Sequence, residues 1–139
     1  MSLYHYNDTI SVNVFEHLDS RSPTPLYAQI ANRLRIAIAA GELHPATPLP
    51  SVRHLAAQVR VNPATVVQAY RELETEGFVE MRQGAGTFVR EVAPHRRARE
   101  RAHQATALVR EMLGRAGRFG VSLRELQVAI AEEIGVGTP

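Results

Sequence analysis

The chain of 139 residues contains no cysteine. This absence excludes disulfides, thiolate metal sites and cysteine nucleophiles. No apolar run approaches the roughly 20 residues that a membrane-spanning helix needs, and the N-terminal MSLYHYNDT lacks the basic and apolar regions of a signal peptide. We therefore expect a cytoplasmic chain with no membrane partner. Its length predicts one domain, or one domain with a small appendage.

Lysine is also absent, so arginine supplies all 16 basic residues, as a coding bias toward arginine would produce. The net charge of +2 is too small to indicate a nucleic-acid partner, but seven arginines and two glutamates lie between His95 and Arg118. Arginine binds phosphate bidentately. The stretch 96–101 is therefore either a second DNA-contacting arm or the solvated start of a helix. We favour the solvated helix start, with incidental help to phosphate binding.

The segment 49–89 predicts two short helices followed by a hairpin. Ser51 is suited to cap a first helix of about two turns. About three residues separate this helix from a second one. Asn62 is suited to cap the second helix with Pro63 at its first position, and Gly77 is suited to end it. Because the connection is so short, the two helices must cross at a steep angle, as in a helix-turn-helix.

Residues 78–82 and 87–90 read as two strands, joined by a turn at 83–86 whose glycines can adopt positive φ. This hairpin is the expected wing. A helix over 25–40, capped by Thr24, should pack behind the helix-turn-helix pair.

Two further segments flank that helix. Residues 41–50 contain three prolines and should form a stiff connecting loop. Residues 10–15 alternate between apolar and polar side chains, which makes them a candidate short strand.

Beyond Pro94, apolar residues recur along one face of a helix whose end Gly114, Gly117 and Gly120 should erode. Ser122 and Glu125 then match a capping box that opens a second helix. Two short helices cannot cover their apolar faces within one chain, so we expect a second copy to cover them. The residues assigned to that dimer contact are Leu108, Met112, Leu126 and Ile130.

The predicted fold is thus mostly α with a small β-hairpin. An N-terminal segment covers residues 1–22, a winged helix-turn-helix domain covers 23–92, and a short two-helix dimerisation region covers 95–136.

Four motifs in this order resemble the GntR superfamily of bacterial transcription regulators: PLYAQI at 25–30, LPSVRHLA at 49–56, VNPATVVQAYRELETEGFV at 61–79 and QGAGTFV at 83–89. The resemblance covers about residues 24–90. VNPATV followed by AYRELE, with a very short C-terminal region, is most similar to the YtrA-type subfamily. The resemblance implies a homodimeric repressor of a transporter-type operon that binds double-stranded DNA at a short palindromic operator through the helix 62–77 and the wing 78–90.

Candidate DNA-contacting residues come from two arguments. The apolar stripe of the second motif helix faces the core, so Ala64, Val67, Gln68 and Arg71 point outward, with Thr65 on the flank. The resemblance adds an arginine in the first motif helix, polar residues that open the recognition helix, and the wing tip. Many family members have arginine where this chain has Pro63 and Val67. The complete set is Arg53, Asn62, Ala64, Thr65, Gln68, Arg71, Gln83 and Gly84.

Other functions find less support in the sequence. Gly84-Ala85-Gly86 lacks the third glycine and the following helix of a dinucleotide loop, and the six histidines are scattered. No catalytic grouping is present, so we expect no enzyme activity, no cofactor and no metal. The sequence does not identify a small-molecule effector. The alternative to a DNA-binding regulator is a winged-helix protein-interaction module that does not bind DNA.

Overall fold

The structure is a computed structural model that describes residues 14–15 and 18–135. Its elements, in chain order, are α1 Leu26–Ala40, α2 Val52–Val59, α3 Pro63–Thr75, β1 Val79–Arg82, β2 Gly86–Val89, α4 Pro94–Arg118 and α5 Leu123–Glu133. The boundary between two compact units falls inside α4, after Arg101. We call residues up to 101 the winged unit and those from 102 the tail unit.

The core of the winged unit lies between α1, α2, α3 and the hairpin. α1 packs along α3, and α2 also packs against α3, as the apolar spacing of these helices predicts. Each helix contributes side chains with no exposed surface, among them Leu34, Leu55 and Leu73. Residues 10–13 of the predicted strand lie outside the described residues. Val14 is helical and Phe15 lies in a turn, so the strand is wrong at these two positions, and Phe15 is part of this core.

The caps of the helix-turn-helix are those predicted. The Ser51 Oγ accepts a hydrogen bond from the His54 N–H at 3.1 Å, and the Asn62 Oδ1 accepts one from the Ala64 N–H at 2.9 Å. Pro63 occupies the first turn of α3, where its missing N–H has no intrahelical partner to lose. After α3, Gly77 adopts a left-handed φ of 84°.

The predicted cap of α1 is wrong by one residue. Pro25, not Thr24, precedes the helix, with no side-chain cap, and its carbonyl accepts hydrogen bonds from Ala28 and Gln29. Thr24 instead donates its N–H to the Ser22 Oγ at 3.1 Å, and its carbonyl accepts from the Gln29 side chain at 2.8 Å. These bonds hold Thr24 outside the helix.

The wing is larger than the predicted hairpin. β1 and β2 pair antiparallel, with Val79 opposite Val89 and Arg82 opposite Gly86. The connecting loop 41–50 adds to the other edge of β2, where Leu49 donates its N–H to the Thr87 carbonyl at 2.8 Å. The prolines therefore do more than stiffen a connector, because they lie in a segment that pairs with the wing.

α4, which extends from the winged unit into the tail unit, differs from the predicted helix in its length. α4 begins at Pro94 and continues through Gly114 and Gly117 to Arg118, so the expected erosion of its end is wrong for these two glycines. Each glycine destabilises a helix by about 1 kcal/mol relative to alanine. The backbone hydrogen bonds of this 25-residue helix offset that loss. Only Gly120, with a φ of 74°, lies beyond its end.

α5 begins with the predicted capping box. The Ser122 Oγ accepts from the Glu125 N–H at 3.1 Å, and the Glu125 carboxylate accepts from the Ser122 N–H at 2.8 Å. Two hydrogen bonds with Ser122 lower the pKa of Glu125. The bond with the Ser122 backbone has the larger effect, and the bond with its side chain has the smaller. In the part of the chain described here, no helix combines the length and the apolar character that crossing a membrane requires.

Candidate nucleic-acid interface

α3 has one face in the core and the other in solvent. Val66, Ala69, Tyr70 and Leu73 have no exposed surface. Ala64, Gln68 and Arg71 follow at intervals of four and three residues, which places them on one helical face, and all three are exposed. The prediction that these side chains point away from the core is therefore confirmed for all three, whereas Val67, predicted to share this face, is half-buried.

Tyr70 ties α3 to the beginning of α2. Its hydroxyl donates a hydrogen bond to the Pro50 carbonyl at 2.7 Å, and both residues are buried. Burial raises the pKa of Tyr70 far above its ordinary range, so the hydroxyl keeps its proton. The local sequence does not predict this hydrogen bond, since the partner of Tyr70 lies 20 positions earlier.

A second polar contact ties α3 to α1. The Arg35 guanidinium reaches the Glu76 carboxylate at 2.8 Å and the Glu72 carboxylate at 3.2 Å. The Arg35 side chain is only 13% exposed, and its paired carboxylates compensate for the charge it brings toward the core. The exposed face of α3 is thus fixed from behind by two neighbouring helices.

At the start of α3, capping uses some of the groups that DNA would otherwise contact. The Asn62 Oδ1 is bonded to the Ala64 N–H, which leaves the Asn62 amide protons as donors. The Thr65 N–H donates to the Asn62 carbonyl at 2.9 Å, so Thr65 has its hydroxyl, not its backbone, to offer to a phosphate. Asn62 is exposed and Thr65 is half-buried.

The remaining predicted contacts are all exposed and lie in the winged unit. Arg53 is in the first turn of α2, where its long side chain is free to reach a phosphate. Gln83 and Gly84 form the tip of the wing, and Gly84 has a φ of 79°, which favours glycine. A role in DNA binding stays a prediction for each of these residues.

Arg82 is a wing cation that the sequence analysis missed. Its guanidinium lies 4.6 Å from the centre of the Phe88 ring and 3.3 Å from the Glu80 carboxylate. Phe88 is diagonal to Arg82, because Gly86 stands directly opposite and has no side chain to intervene. That pairing follows from the register of the hairpin, which the sequence analysis did not specify. Arg82 is half-exposed beside Gln83.

The prediction of a mainly solvated helix face at 96–101 is wrong for Arg96 and Arg97, which are half-buried, while Arg101 is exposed but has a partner in the protein. The Arg96 guanidinium stacks on the Phe78 ring, 4.5 Å from its centre, and donates to the Glu76 carbonyl. Arg97 donates to the Val92 carbonyl at 3.2 Å. Arg101 donates to the Ala39 carbonyl at 2.9 Å. These three side chains therefore bind backbone carbonyls in the rest of the winged unit.

In the tail unit, Leu108, Met112 and Leu126 line one groove of about 470 Å³ between α4 and α5, together with Phe119. Ile130, the fourth residue assigned to the dimer contact, is 37% exposed and does not line it. The structure thus brings three of the four predicted dimerisation residues together on one apolar surface.

A helix pair joined by three residues, an outward polar face on its second helix and a glycine-tipped hairpin define a winged helix-turn-helix protein, a class that places a helix in a DNA groove. Residues 26–89 match the model of bacterial regulatory proteins of the gntR family. The chain is 36% identical over 115 residues to the HTH-type transcriptional repressor YtrA of Bacillus subtilis (strain 168), which covers 83% of this chain and 88% of that protein. The chain therefore belongs to the GntR family.

Solved structures agree with this assignment. YtrA from Sulfolobus acidocaldarius, a GntR-family transcription factor, is 39% identical with a TM-score of 0.52, covering 65% of this chain and 95% of that chain. A GntR family transcriptional regulator from Listeria monocytogenes is 25% identical with a TM-score of 0.62, covering 80% and 96%. The predicted resemblance to YtrA-type GntR regulators is confirmed, and the chain is a DNA-binding transcription regulator.

Proposed function

We propose that the chain is a homodimeric repressor that binds a short palindromic operator. Each winged unit reads one half-site, with α3 in the major groove and the wing on the adjacent backbone. The tail units supply the dimer contact. A transporter-type operon is the target that the family resemblance implies.

The observation that carries this proposal is the two-sided character of α3. Its inner face has no exposed surface at Tyr70 and Leu73, so the helix cannot rotate without opening the core. Its outer face presents Gln68 and Arg71 to solvent. Glutamine pairs bidentately with adenine, and arginine with guanine or a phosphate. This rigid polar face is suited to read base edges.

The tail unit supports the dimer because it has almost no core of its own. Ala116 is its one buried residue on α4, and no residue of α5 is buried. Meanwhile Leu108 is 65% exposed and Phe119 is 74% exposed. Exposed apolar surface of this extent marks an interaction site. A second copy presents the same apolar surface in return, as a two-fold interface requires.

Selection of duplexes from a randomised DNA pool by the full-length chain tests the proposal. We expect an inverted repeat whose half-sites are about 10–10.5 base pairs apart, one helical turn, bound by two chains per duplex. Gln68→Ala should lose about 1–3 kcal/mol of discrimination at one base pair of each half-site. Gln127→Ala, at an exposed position of α5, is the matched control and should select the same operator as the wild type.

Two outcomes would contradict the proposal. Enrichment of a single, unrepeated site bound by one chain would show that the chain does not bind DNA as a dimer. If no sequence is enriched, the chain does not recognise a specific sequence.

A further inference from the structure

Three arginines in the first two turns of α4 bind these turns to the rest of the winged unit at three places. Arg96 reaches the end of α3, Arg97 reaches the segment that precedes α4, and Arg101 reaches the end of α1. Each side chain donates to a backbone carbonyl, a partner that no side-chain rearrangement can move. Three separated points of attachment fix these two turns on the rest of the winged unit.

The Arg96 contact is the most extensive of the three. Its guanidinium covers one side of the Phe78 ring at 4.5 Å, while Arg35 lies over the same ring at 5.9 Å. Phe78 itself is 1% exposed. Gly77 makes room for this arrangement, because a Cβ there would stand 3.1 Å from the Arg96 guanidinium. Arg96 therefore binds a rigid part of the core.

Arg101 binds the C-terminal end of α1. The carbonyls of Ala37 and Ile38 accept hydrogen bonds from backbone N–H groups that follow the helix. The next carbonyl, that of Ala39, accepts from the Arg101 Nη1 at 2.9 Å. A cation here also opposes the negative end of the helix dipole. The compact winged unit ends at this same residue.

We propose that Arg96 and Arg101 are positioning residues for operator recognition. By fixing the first two turns of α4 to the winged unit, they set the spacing of half-sites that the dimer accepts. Neither residue needs to contact DNA. This inference rests on the proposed function, because it requires a dimer joined through the tail units and an operator of two half-sites.

The physical reason is the helical form of DNA. With about 10–10.5 base pairs per turn, adding one base pair between half-sites rotates one half-site by about 35° relative to the other. A winged unit fixed to its α4 can follow this rotation only by straining its contacts. A winged unit released from α4 can turn to meet the displaced half-site. Release should therefore cost the dimer its preference for one spacing.

The test uses the selected operator and four derivatives in which the half-sites are one or two base pairs closer or farther apart. Binding of the full-length wild type should weaken about tenfold or more when the spacing changes by one base pair. For Arg96→Ala/Arg101→Ala the same change should weaken binding about two- to threefold at most. Affinity for a duplex with a single half-site should be the same for both proteins. A purely structural role would not change spacing preference at constant half-site affinity.

Two further variants complete the test. Arg99→Ala removes the same charge from an exposed position on the same helix and should keep the wild-type spacing preference. Arg101→Ala alone alters one exposed side chain, so it serves if the double variant does not fold, and it should relax the preference in part.

The inference is overturned if the arginine variants keep the wild-type preference, or if a dimeric wild type accepts all spacings equally. A wild type that is monomeric, or that selects no repeated site, would instead overturn the proposed function.

Discussion

At the scale of single residues, side chains of the interface differ in the part of DNA they can contact. Gln68 and Arg71 lie on the exposed face of α3, which we propose meets the base edges. Arg53 lies in the first turn of the preceding helix, which crosses the DNA backbone in a helix-turn-helix. The first two residues should therefore affect specificity, and Arg53 should affect affinity for any sequence.

Arg53→Ala should weaken binding to operator and to unrelated DNA alike. If Arg53 neutralises one phosphate, its removal should lower the slope of log affinity against log salt by about one unit. Titrations across a range of salt concentrations measure both effects. Arg21→Ala removes an exposed arginine outside the helix-turn-helix and serves as the control. An unchanged slope for Arg53→Ala would remove this residue from the interface.

The residues that the sequence predicted correctly are those whose partners are near in the chain. Ser51 and Asn62 bond to N–H groups three and two positions away, so their capping roles are visible in a short segment. Arg96 and Arg101 bond to carbonyls 20 and 62 positions away. Nothing in their local sequence distinguishes an anchored arginine from a solvated one, because only the packing of the winged unit creates the partner.

At the scale of elements, α3 is the helix that we propose reads DNA, and polar contacts on its inner side help to fix its position. The Tyr70 hydroxyl is the link to α2. Removing the hydroxyl leaves the Pro50 carbonyl buried without this donor, which should cost about 1–3 kcal/mol. The rest of the ring would still fill its place in the core.

Tyr70→Phe should therefore lower the Tm of the winged unit by roughly 4–8 °C for each kcal/mol lost. Tyr27→Phe, at a half-buried position of α1, is the control and should lower it less.

The pH dependence of Tyr70→Phe adds a second reading. Because burial raises the pKa of Tyr70 above its ordinary value of 10.0, its stabilising effect is complete below pH 10 and is lost as pH rises further. The wild type should lose stability above this pH more steeply than Tyr70→Phe. Equal slopes, or an unchanged Tm, would contradict the role assigned to this hydroxyl.

The elements themselves were predictable to the extent that one local pattern controls them. α2 and α3 have clear caps and apolar stripes. The pairing of Leu49 with β2 depends on where the loop is brought by α1 and α2, which spacing alone cannot specify. α4 passes through Gly114 and Gly117 because glycine weakens a helix without ending it. Gly114 and Gly117 therefore shorten the helix less than we expected from the sequence.

At the scale of the whole molecule, the two units differ in how they are stabilised. The winged unit has a core built from α1, α2, α3 and the hairpin. The tail unit leaves most of its large apolar side chains exposed. A charge at the surface of the tail should therefore affect association while the winged unit keeps its fold.

Leu108→Glu is the variant that separates these roles. A carboxylate at this position of the groove would be buried without a partner in the dimer, at a cost of several kcal/mol. Gln127→Glu adds the same charge to α5 at an exposed position outside the groove and is the matched control. Cooperative thermal unfolding of the winged unit should be preserved in both variants.

Sedimentation of these proteins, alone and on the selected operator, is the direct test of dimerisation through the tail units. The wild type and Gln127→Glu should sediment as dimers and place two chains on each duplex. Leu108→Glu should sediment as a monomer and bind the operator far more weakly, since each half-site loses its tethered partner. A Leu108→Glu protein that remains a dimer and binds the operator like the wild type would contradict dimerisation through the tail.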